Sequence, residues 1–399
     1  LIVSKETIQD EIQRTVNELF QFEPITLMDK AKAFFPSTSA NYINSRSMGG
    51  AVGAILEHPR VRESMIRRPG GYIEEEMTLT SEDITPLVEI IISANRQTYE
   101  KIQLQESDVI DYRPDLLNFT EAFTELWELI KDIAKDEPNI AIPLALAEPL
   151  KIRVITKGPP FKMTVLRFLQ KKMLSVLRNH PTFKLVGSPT GKYSTLGDYL
   201  EIIFKGAQKG DNLYLSGDYK AATDNIKSWA SEAACESIAV LLRLDPIEKR
   251  LFKESLTGYT LQFRKDQDIT LSGEQKIGQL MGSIVSFPIL CIINASITRF
   301  VYEKSIGENK FLRDCPIAIN GDDIAMKCNK RTHEYWRKIL PLVGLNESIG
   351  KSYISPRFIQ INSTNFVVEG NCLHQIQYIN MGLYYGIKKS ESSVDLSDL

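Results

Sequence analysis

The sequence predicts a mixed α+β protein built around an antiparallel sheet, and three observations carry this. The first 140 residues place apolar side chains mainly at helical spacing. Beyond residue 210 the pattern changes to strand, helix, strand, strand. Within that second part Ile317–Ile319 and Ile324–Met326 flank the tight polar turn Asn320-Gly-Asp-Asp323. Two apolar runs around an Asn-Gly turn read as a β-hairpin.

In order along the chain, Phe20 to Phe35 and Asn118 to Ile133 read as helices by their apolar period. Between them, Pro36 to Gly50 is rich in Ser, Asn and Gly and reads as a turn-rich loop with exposed amides. Acidic residues gather around Glu74–Glu76, Glu82 and Asp83. Lys151 to Lys157 alternates basic and apolar residues with the period of a strand. Ile152 and Val154 lie on one face, Lys151 and Arg153 on the other, and Pro159-Pro160 ends the run. Lys162 to Arg178 reads as a helix. Leu213–Leu215 is a short strand leading to Gly217-Asp218, followed by a helix over roughly Thr223 to Leu242 and a hairpin within Thr257 to Thr270. A Gly-rich loop, Gly273 to Ser283, precedes a long apolar helix to about Glu303. Pro288 suits a first turn, so Ser286 or Phe287 is its N-cap, unless the helix begins earlier and kinks.

Composition narrows the class. At 399 residues with 43% hydrophobic and 25% charged residues the chain can bury a sizeable core, which excludes wholesale disorder, a collagen-like chain and a small disulfide scaffold. The formal net charge of −2 excludes a uniformly basic nucleic-acid coat, so any basic surface is local. Five cysteines without a CxxC pair, and only four histidines, argue against structural zinc and for reduced thiols in a reducing compartment. The most apolar window, Ile284 to Ile297, is interrupted by Ser286, Pro288, Asn294 and Ser296, so no membrane span is expected. The start does not have the form of a secretory signal, and Leu1 in place of Met reads as a piece of a longer product.

Three features carry chemistry. From Pro149 to Gly197 there is no Asp or Glu among 49 residues but ten Lys or Arg, a local field that attracts phosphate. A solvated helix face explains the residues from Lys162 to Arg178 equally well, but fits the strand-like Lys151–Lys157 run less well. Asp322 and Asp323 are adjacent carboxylates at a hairpin tip. Their repulsion is usually offset by a divalent cation, although Gly and Asp are also ordinary turn residues. Asp218 ends a strand, and if that strand pairs beside the hairpin, Asp218 and Asp322 meet at one sheet edge. Two such carboxylates can hold a pair of Mg²⁺ ions. Asp224 is either part of this edge or an acid at a helix N-terminus. Gly278 to Ser283 is either a loop whose glycines let backbone approach a ligand or a flexible loop with a Ser cap.

Gly217-Asp-Tyr-Lys-Ala-Ala-Thr-Asp224, Gly278-Gln-Leu-Met-Gly-Ser283 and Gly321-Asp-Asp323 stand in the order of motifs A, B and C of viral RNA-dependent RNA polymerases. Their wording resembles the ourmiavirus-like (botourmiavirus) group, related to narnaviruses and RNA-phage replicases. Gly344 to Lys351 and Phe358 to Phe366 are similar to motifs D and E of that group, Glu148 to Lys157 to motif F, and Pro36 to Gly50 to its N-terminal template-side motif. The resemblance spans residues 36 to 366 and implies a right-hand polymerase with an antiparallel-sheet palm, helical fingers and a short or truncated thumb. Fingers then occupy residues 1–210, the palm 211–357 with part of 229–272 a fingers insertion, and motif E and the thumb's start 358–399.

The resemblance also implies roles. Asp218 and Asp322 bind metal, supported by Asp323. Lys351 protonates the leaving pyrophosphate. Lys151, Arg153 and Lys157 clamp the triphosphate, and Asp224 senses the ribose 2′-hydroxyl. Ser283 and Ser286 lie at the nucleotide, and Gly282, Ser39 and Arg46 contact the template. The implied cofactor is Mg²⁺, with Mn²⁺ as a substitute, and the implied partners are RNA template and product and ribonucleoside triphosphates. A positive-strand viral genome and the host cell cytoplasm follow from the same resemblance, with the mitochondrion left open. One departure is Leu290, eight residues after Gly282, where many such enzymes carry an Asn; Asn294 stands a turn later and is left outside the site. A reverse transcriptase shares such a palm, but usually has an aromatic gate at the place of Asp224 and a Tyr at that of Asn320. A non-catalytic RNA-binding or nucleocapsid protein would use the basic tract and leave the three acidic positions unexplained.

Overall fold

The computed structural model describes residues 3–20, 24–34, 36–66, 113–148, 151–187, 195–265, 268–370 and 372–377. The acidic cluster at Glu74–Asp83, Lys192 of the basic tract, and a thumb beyond residue 377 lie outside the described residues. In chain order the strands are β1 (Ile140–Glu148), β2 (Lys151–Lys157), β3 (Leu213–Gly217), β4 (Thr260–Lys265), β5 (Asp268–Glu274), β6 (Ile317–Asn320), β7 (Asp323–Cys328), β8 (Tyr353–Ser355), β9 (Phe358–Ile361), β10 (Thr364–Glu369) and β11 (Cys372–Gln375). They form three sheets ordered β2-β1-β4-β5, β6-β7-β3-β8 and β11-β10-β9. Every pairing is antiparallel except β1 with β4, so the α+β class expected from the sequence holds.

The chain divides into two compact units, one of residues 1–25, 139–158 and 169–399, the other of 26–138 and 159–168. In the first, the helix Ser286–Ile306 is buried on nearly every side. A helix apolar all round belongs at the centre of a core. No helix among the described residues is long and apolar enough to cross a membrane. The helix starts at Ser286 with Pro288 in its first turn and stops at Gly307, whose φ of 75° forms a left-handed cap. The N-terminal helix Lys5–Leu19 buries Ile8, Ile12, Val16 and Leu19, which recur every three or four residues. It also supplies Glu11 and Glu18 to Arg299, a fully buried guanidinium on the central helix. Arg14 returns a two-pronged bond to Glu303 at 2.9 and 2.8 Å. Buried charges persist only when paired in this way.

The helices depart from their sequence reading at three places, one of them Lys162 to Arg178, which spans two helices, Pro160–Val165 and Arg167–Asn179, divided at Leu166. Among the described residues from Phe20 to Phe35, only Leu27–Ala33 is helical. Helix Lys5–Leu19 ends before Pro24, and Thr26 restarts the chain with a capping box to Asp29. The Thr223 to Leu242 segment is two helices, Ala222–Asn225 and Ser228–Leu241, because Ile226 and Lys227 are extended. Their backbone is used elsewhere: the Ile226 carbonyl accepts from Gly278 N–H, and Lys227 N–H donates to the Val343 carbonyl. Apolar spacing cannot reveal a helix broken to hydrogen-bond distant loops. The thiols of Cys235, Cys291, Cys315 and Cys328 are buried and free, and Cys372 is free and exposed.

In the second unit, Glu137 at the end of helix Arg113–Asp136 accepts from the N–H groups of Phe161 (3.2 Å) and Lys162 (2.8 Å), so it caps the helix Pro160–Val165. Burial nevertheless pushes its carboxyl up to about 7 from the usual 4.5, against those hydrogen bonds. With the folded pKa above the unfolded one, the folded chain keeps a proton that the unfolded chain has released. Stability is therefore fully present below about pH 4.5 and falls as pH rises to about 7. Glu137→Gln should flatten this slope. Between pH 5 and 7.5 the unfolding free energy of the variant should gain about 2.4 kcal/mol on the parent, read by urea denaturation. A difference independent of pH would contradict the assignment.

Candidate active site

Strand β3 pairs antiparallel with β7, with Gly217 opposite Ile324. Asp218 follows β3 directly, while Asp322 and Asp323 stand at the start of β7, so the three acids share one end of two adjacent strands. The hairpin β6–β7 closes through the two-residue turn Gly321–Asp322, with Asn320 opposite Asp323. Gly321 has φ of 68°, and a Cβ there would come 2.9 Å from the Phe287 ring, so both conformation and space call for glycine.

The carboxylates repel each other. Burial raises the pKa of Asp322, the Asp218 charge adds to it, and Lys351 and Arg153 partly offset it. Asp323 is pushed up to about 6, first by burial and then by Asp322 and Asp218, while an N–H donated by Asn362 pulls it down. Lys351 places its Nζ 3.1 Å from Asp218 Oδ2, with most of its side chain exposed. The backbone of Asp218 is held by Ser352: Asp218 N–H donates to Ser352 Oγ (2.9 Å), and that hydroxyl donates to the Asp218 carbonyl (2.8 Å). Ser348 N–H donates to the same carbonyl at 2.9 Å.

The loop Gly278 to Ser283 is tied at two places. Gln279 N–H donates to the Thr223 carbonyl at 2.7 Å, and Gly282 N–H donates to Thr156 Oγ1 of β2 at 3.1 Å. A Cβ on Gly282 would lie 1.9 Å from the Thr156 carbonyl oxygen, so the loop approaches β2 as closely as backbone allows. Ser286 Oγ donates to the Leu280 carbonyl at 3.0 Å, closing the loop on itself. Ser283 Oγ is buried with no hydrogen-bond partner among the described residues, so it has both a proton and lone pairs to offer.

The other expected residues fall as follows. Arg153 is exposed on β2, and its charge reaches Asp322. Lys157, at the end of β2, is half-buried; Lys151 starts the strand. Both faces of β2 are open, since Ile152 and Val154 are 71% and 56% exposed. Asp224 is exposed on the short helix Ala222–Asn225. Ser39 and Arg46 are exposed in the second unit, Arg46 at the start of a 3₁₀ turn, Arg46–Met48.

Sequence reasoning missed the groups behind the acids. Asn294, fully buried on the central helix, accepts from Tyr219 OH at 2.7 Å and donates to the Gly321 carbonyl at 3.0 Å. Cys291 Sγ accepts from Gly321 N–H at 3.3 Å. Asn362, in a turn where it and Ser363 have φ of 51° and 56°, accepts from Asn320 Nδ2 at 2.8 Å. The available signal was an Asn within the apolar run Ile289 to Ile297 of that helix.

Among the described residues no group of three or more His, Cys, Asp or Glu side chains is arranged to hold an ion by itself. The donor set still fits Mg²⁺, which binds one or two carboxylates and completes its shell with water and substrate phosphate. Asp218 and Asp322 would hold it; burial first and then the Asp218 charge raise the pKa of Asp322, and a cation would offset that neighbouring charge.

The loop–strand contact gives a stability test. Gly282→Ala forces a methyl into the Thr156 backbone and should cost about 1–3 kcal/mol in urea denaturation. Gly273→Ala on β5, where an added methyl meets nothing within 4 Å, should change stability by less than about 0.5 kcal/mol. Equal costs would contradict the close approach.

Comparison with known proteins follows the same direction. No protein-family model matches the chain. It is 28% identical over 403 residues to the RNA-dependent RNA polymerase of Ourmia melon virus (isolate Melon/Iran/VE9), covering 96% of this chain. The chain spans 41% of the length of that relative. The solved RNA-dependent RNA polymerase of a human picorbirnavirus aligns over 60% of this chain and 45% of its own, with a TM-score of 0.45 and 12% identity. The chain thus resembles a viral RNA-dependent RNA polymerase over nearly its whole length.

Proposed function

We propose that this chain is the catalytic part of an RNA-directed RNA polymerase that copies a positive-strand viral RNA genome in the host cytoplasm. The observation that carries the reading is the meeting of Asp218 and Asp322 on neighbouring strand ends, with the Arg153 charge acting on Asp322. The sheet β6-β7-β3-β8 is the palm, β2 is the basic finger, and β9–β10 is the strand pair beside the palm.

Two Mg²⁺ ions, or Mn²⁺ in their place, would be held by Asp218 and Asp322 and would supply Lewis acidity to the attacking 3′-hydroxyl and the leaving pyrophosphate. Arg153 presents a planar fork of donors to the triphosphate oxygens, with Lys151 and Lys157 as further positive charge on the same strand. The exposed carboxylate of Asp224 accepts a hydrogen bond from a ribose 2′-hydroxyl. Ser283 Oγ, buried and without a hydrogen-bond partner among the described residues, is available to the same sugar or to the template. Lys351 sits on Asp218 as an ammonium. When pyrophosphate leaves, that ammonium passes one proton to a phosphate oxygen and becomes a neutral amine. Asp323, turned toward Asn362, supports the turn.

Two measurements test this. Primer extension on an RNA template with Mg²⁺ and labelled ribonucleotides should proceed with the parent chain. It should fall by at least about a thousandfold in Asp322→Asn, which loses one ligand charge, while RNA binding stays within about twofold. Near-normal turnover by the variant would sink the assignment. Arg153→Ala should raise the KM for nucleotide far more than Lys172→Ala does, because Lys172 lies on helix Arg167–Asn179 and not on the finger strand. Equal KM values in the two variants would remove Arg153 from the triphosphate.

A further inference from the structure

The two candidate metal-binding acids sit on different strands, so their spacing is not fixed by local chain geometry. Each has a neighbour tied to one buried side chain. Tyr219, which follows Asp218, donates its hydroxyl to Asn294 Oδ1 at 2.7 Å. Gly321, which precedes Asp322, gives its carbonyl to Asn294 Nδ2 at 3.0 Å. Asn294 is 0% exposed and Tyr219 is 3% exposed, so neither bond exchanges with water. Thr298 Oγ1, one turn along the helix, donates to the same Oδ1 at 3.3 Å and keeps the amide from flipping. The bracket is anchored from the other side as well. Tyr219 stacks on Trp336, with ring centroids 5.5 Å apart, and Cys291 receives Gly321 N–H.

We propose that Asn294 is a positioning residue that sets the distance between Asp218 and Asp322 and so the affinity of the cation site, an inference that rests on the polymerase reading of that site. Only an amide serves. Its oxygen must accept from a phenol while its nitrogen donates to a peptide carbonyl; an ionised carboxylate has no proton for that carbonyl, and a hydroxyl does not offer both from one planar group. Like the paired Arg299 and Glu303 farther along the central helix, a buried amide there is retained only with its hydrogen bonds made. Its partners are the main chain of the turn and the residue beside Asp218, not nucleotide or ion, so its effect reaches the ion through the carboxylates. Removing such supporting hydrogen bonds typically weakens metal binding without touching a ligand.

The test is Mn²⁺ binding to the protein alone, followed by electron paramagnetic resonance, in the parent, Asp322→Asn, Asn294→Leu, Tyr219→Phe and Ser296→Ala. Ser296 is buried on the same helix and bonds only to the Ile292 carbonyl, so its variant perturbs the helix without touching the bracket. The proposal expects a site lost in Asp322→Asn and weakened by about tenfold or more in Asn294→Leu. It expects weakening of about three- to tenfold in Tyr219→Phe, which loses one hydrogen bond, and a change of less than about twofold in Ser296→Ala. If Asn294→Leu does not fold, Tyr219→Phe, which loses a single oxygen atom, carries the test. Parent affinity in both bracket variants, with the site still lost in Asp322→Asn, overturns the bracket and leaves the polymerase reading standing. Equal weakening in Ser296→Ala overturns it too, by making the effect one of general helix damage. A parent chain whose Mn²⁺ binding is indifferent to Asp322→Asn defeats the cation site itself and the bracket with it.

Discussion

The repulsion between Asp218 and Asp322 is the constraint on which the rest of this site depends. Pairing β3 with β7 brings their acidic ends together, and partial burial denies them the full screening of water. The surrounding structure offsets that charge from several directions. Lys351 sits on one acid, the Arg153 charge acts on the other, and an Asn362 N–H points at the third, Asp323. Asp322 and Asp323 both remain raised above ordinary carboxylates, first by burial and then by the charges of the neighbouring acids. A sheet end that keeps negative charge in reserve suits a ligand that arrives with cations of its own, which a nucleoside triphosphate does.

Rigidity around the acids comes from elements distant in sequence. The loop Gly278 to Ser283 is hydrogen-bonded on one side to β2 and on the other to the Ala222–Asn225 turn. The loop thereby links the basic strand by hydrogen bonds to the residues that follow Asp218. The same demand explains the broken helix at Ile226 and Lys227: a continuous helix would use the carbonyl that receives Gly278 N–H. Helical propensity yields there to three long-range backbone hydrogen bonds. At the other end of the core, the buried Arg299 and its two glutamates fasten the N-terminal helix to the helix that carries Cys291 and Asn294.

Much of this was legible in the sequence, for physical reasons that differ by residue. The hairpin and β3 announce themselves through apolar runs bounded by Gly and Asp, whereas their pairing was only a condition in the sequence and is set by the fold. Asp218 and Asp322 were legible because strand ends and tight turns leave acids no local partner. Lys151–Lys157 was legible by its period of two, although its apolar face proves open instead of packed. The Tyr219–Asn294–Gly321 and Asn320–Asn362 contacts were not legible. Each joins residues 27 to 75 positions apart through side-chain hydrogen bonds, which leave no periodic trace. The helix ends near Phe20 and Ile226 were misjudged because apolar spacing runs on past points where Pro24, a Thr26 cap or a distant carbonyl ends the helix. Ser39 and Arg46 were suggested only by their loop's resemblance, and they fall in the second unit.

The account stands on Asp218 and Asp322 sharing one cation. Anomalous scattering from a crystal soaked in Mn²⁺ tests it most directly. It predicts a peak within coordination distance of a carboxylate oxygen from each, about 2–2.5 Å away, with the Lys351 ammonium displaced from Asp218. A Mn²⁺ peak bound by neither acid, with Lys351 still seated on Asp218, would contradict it.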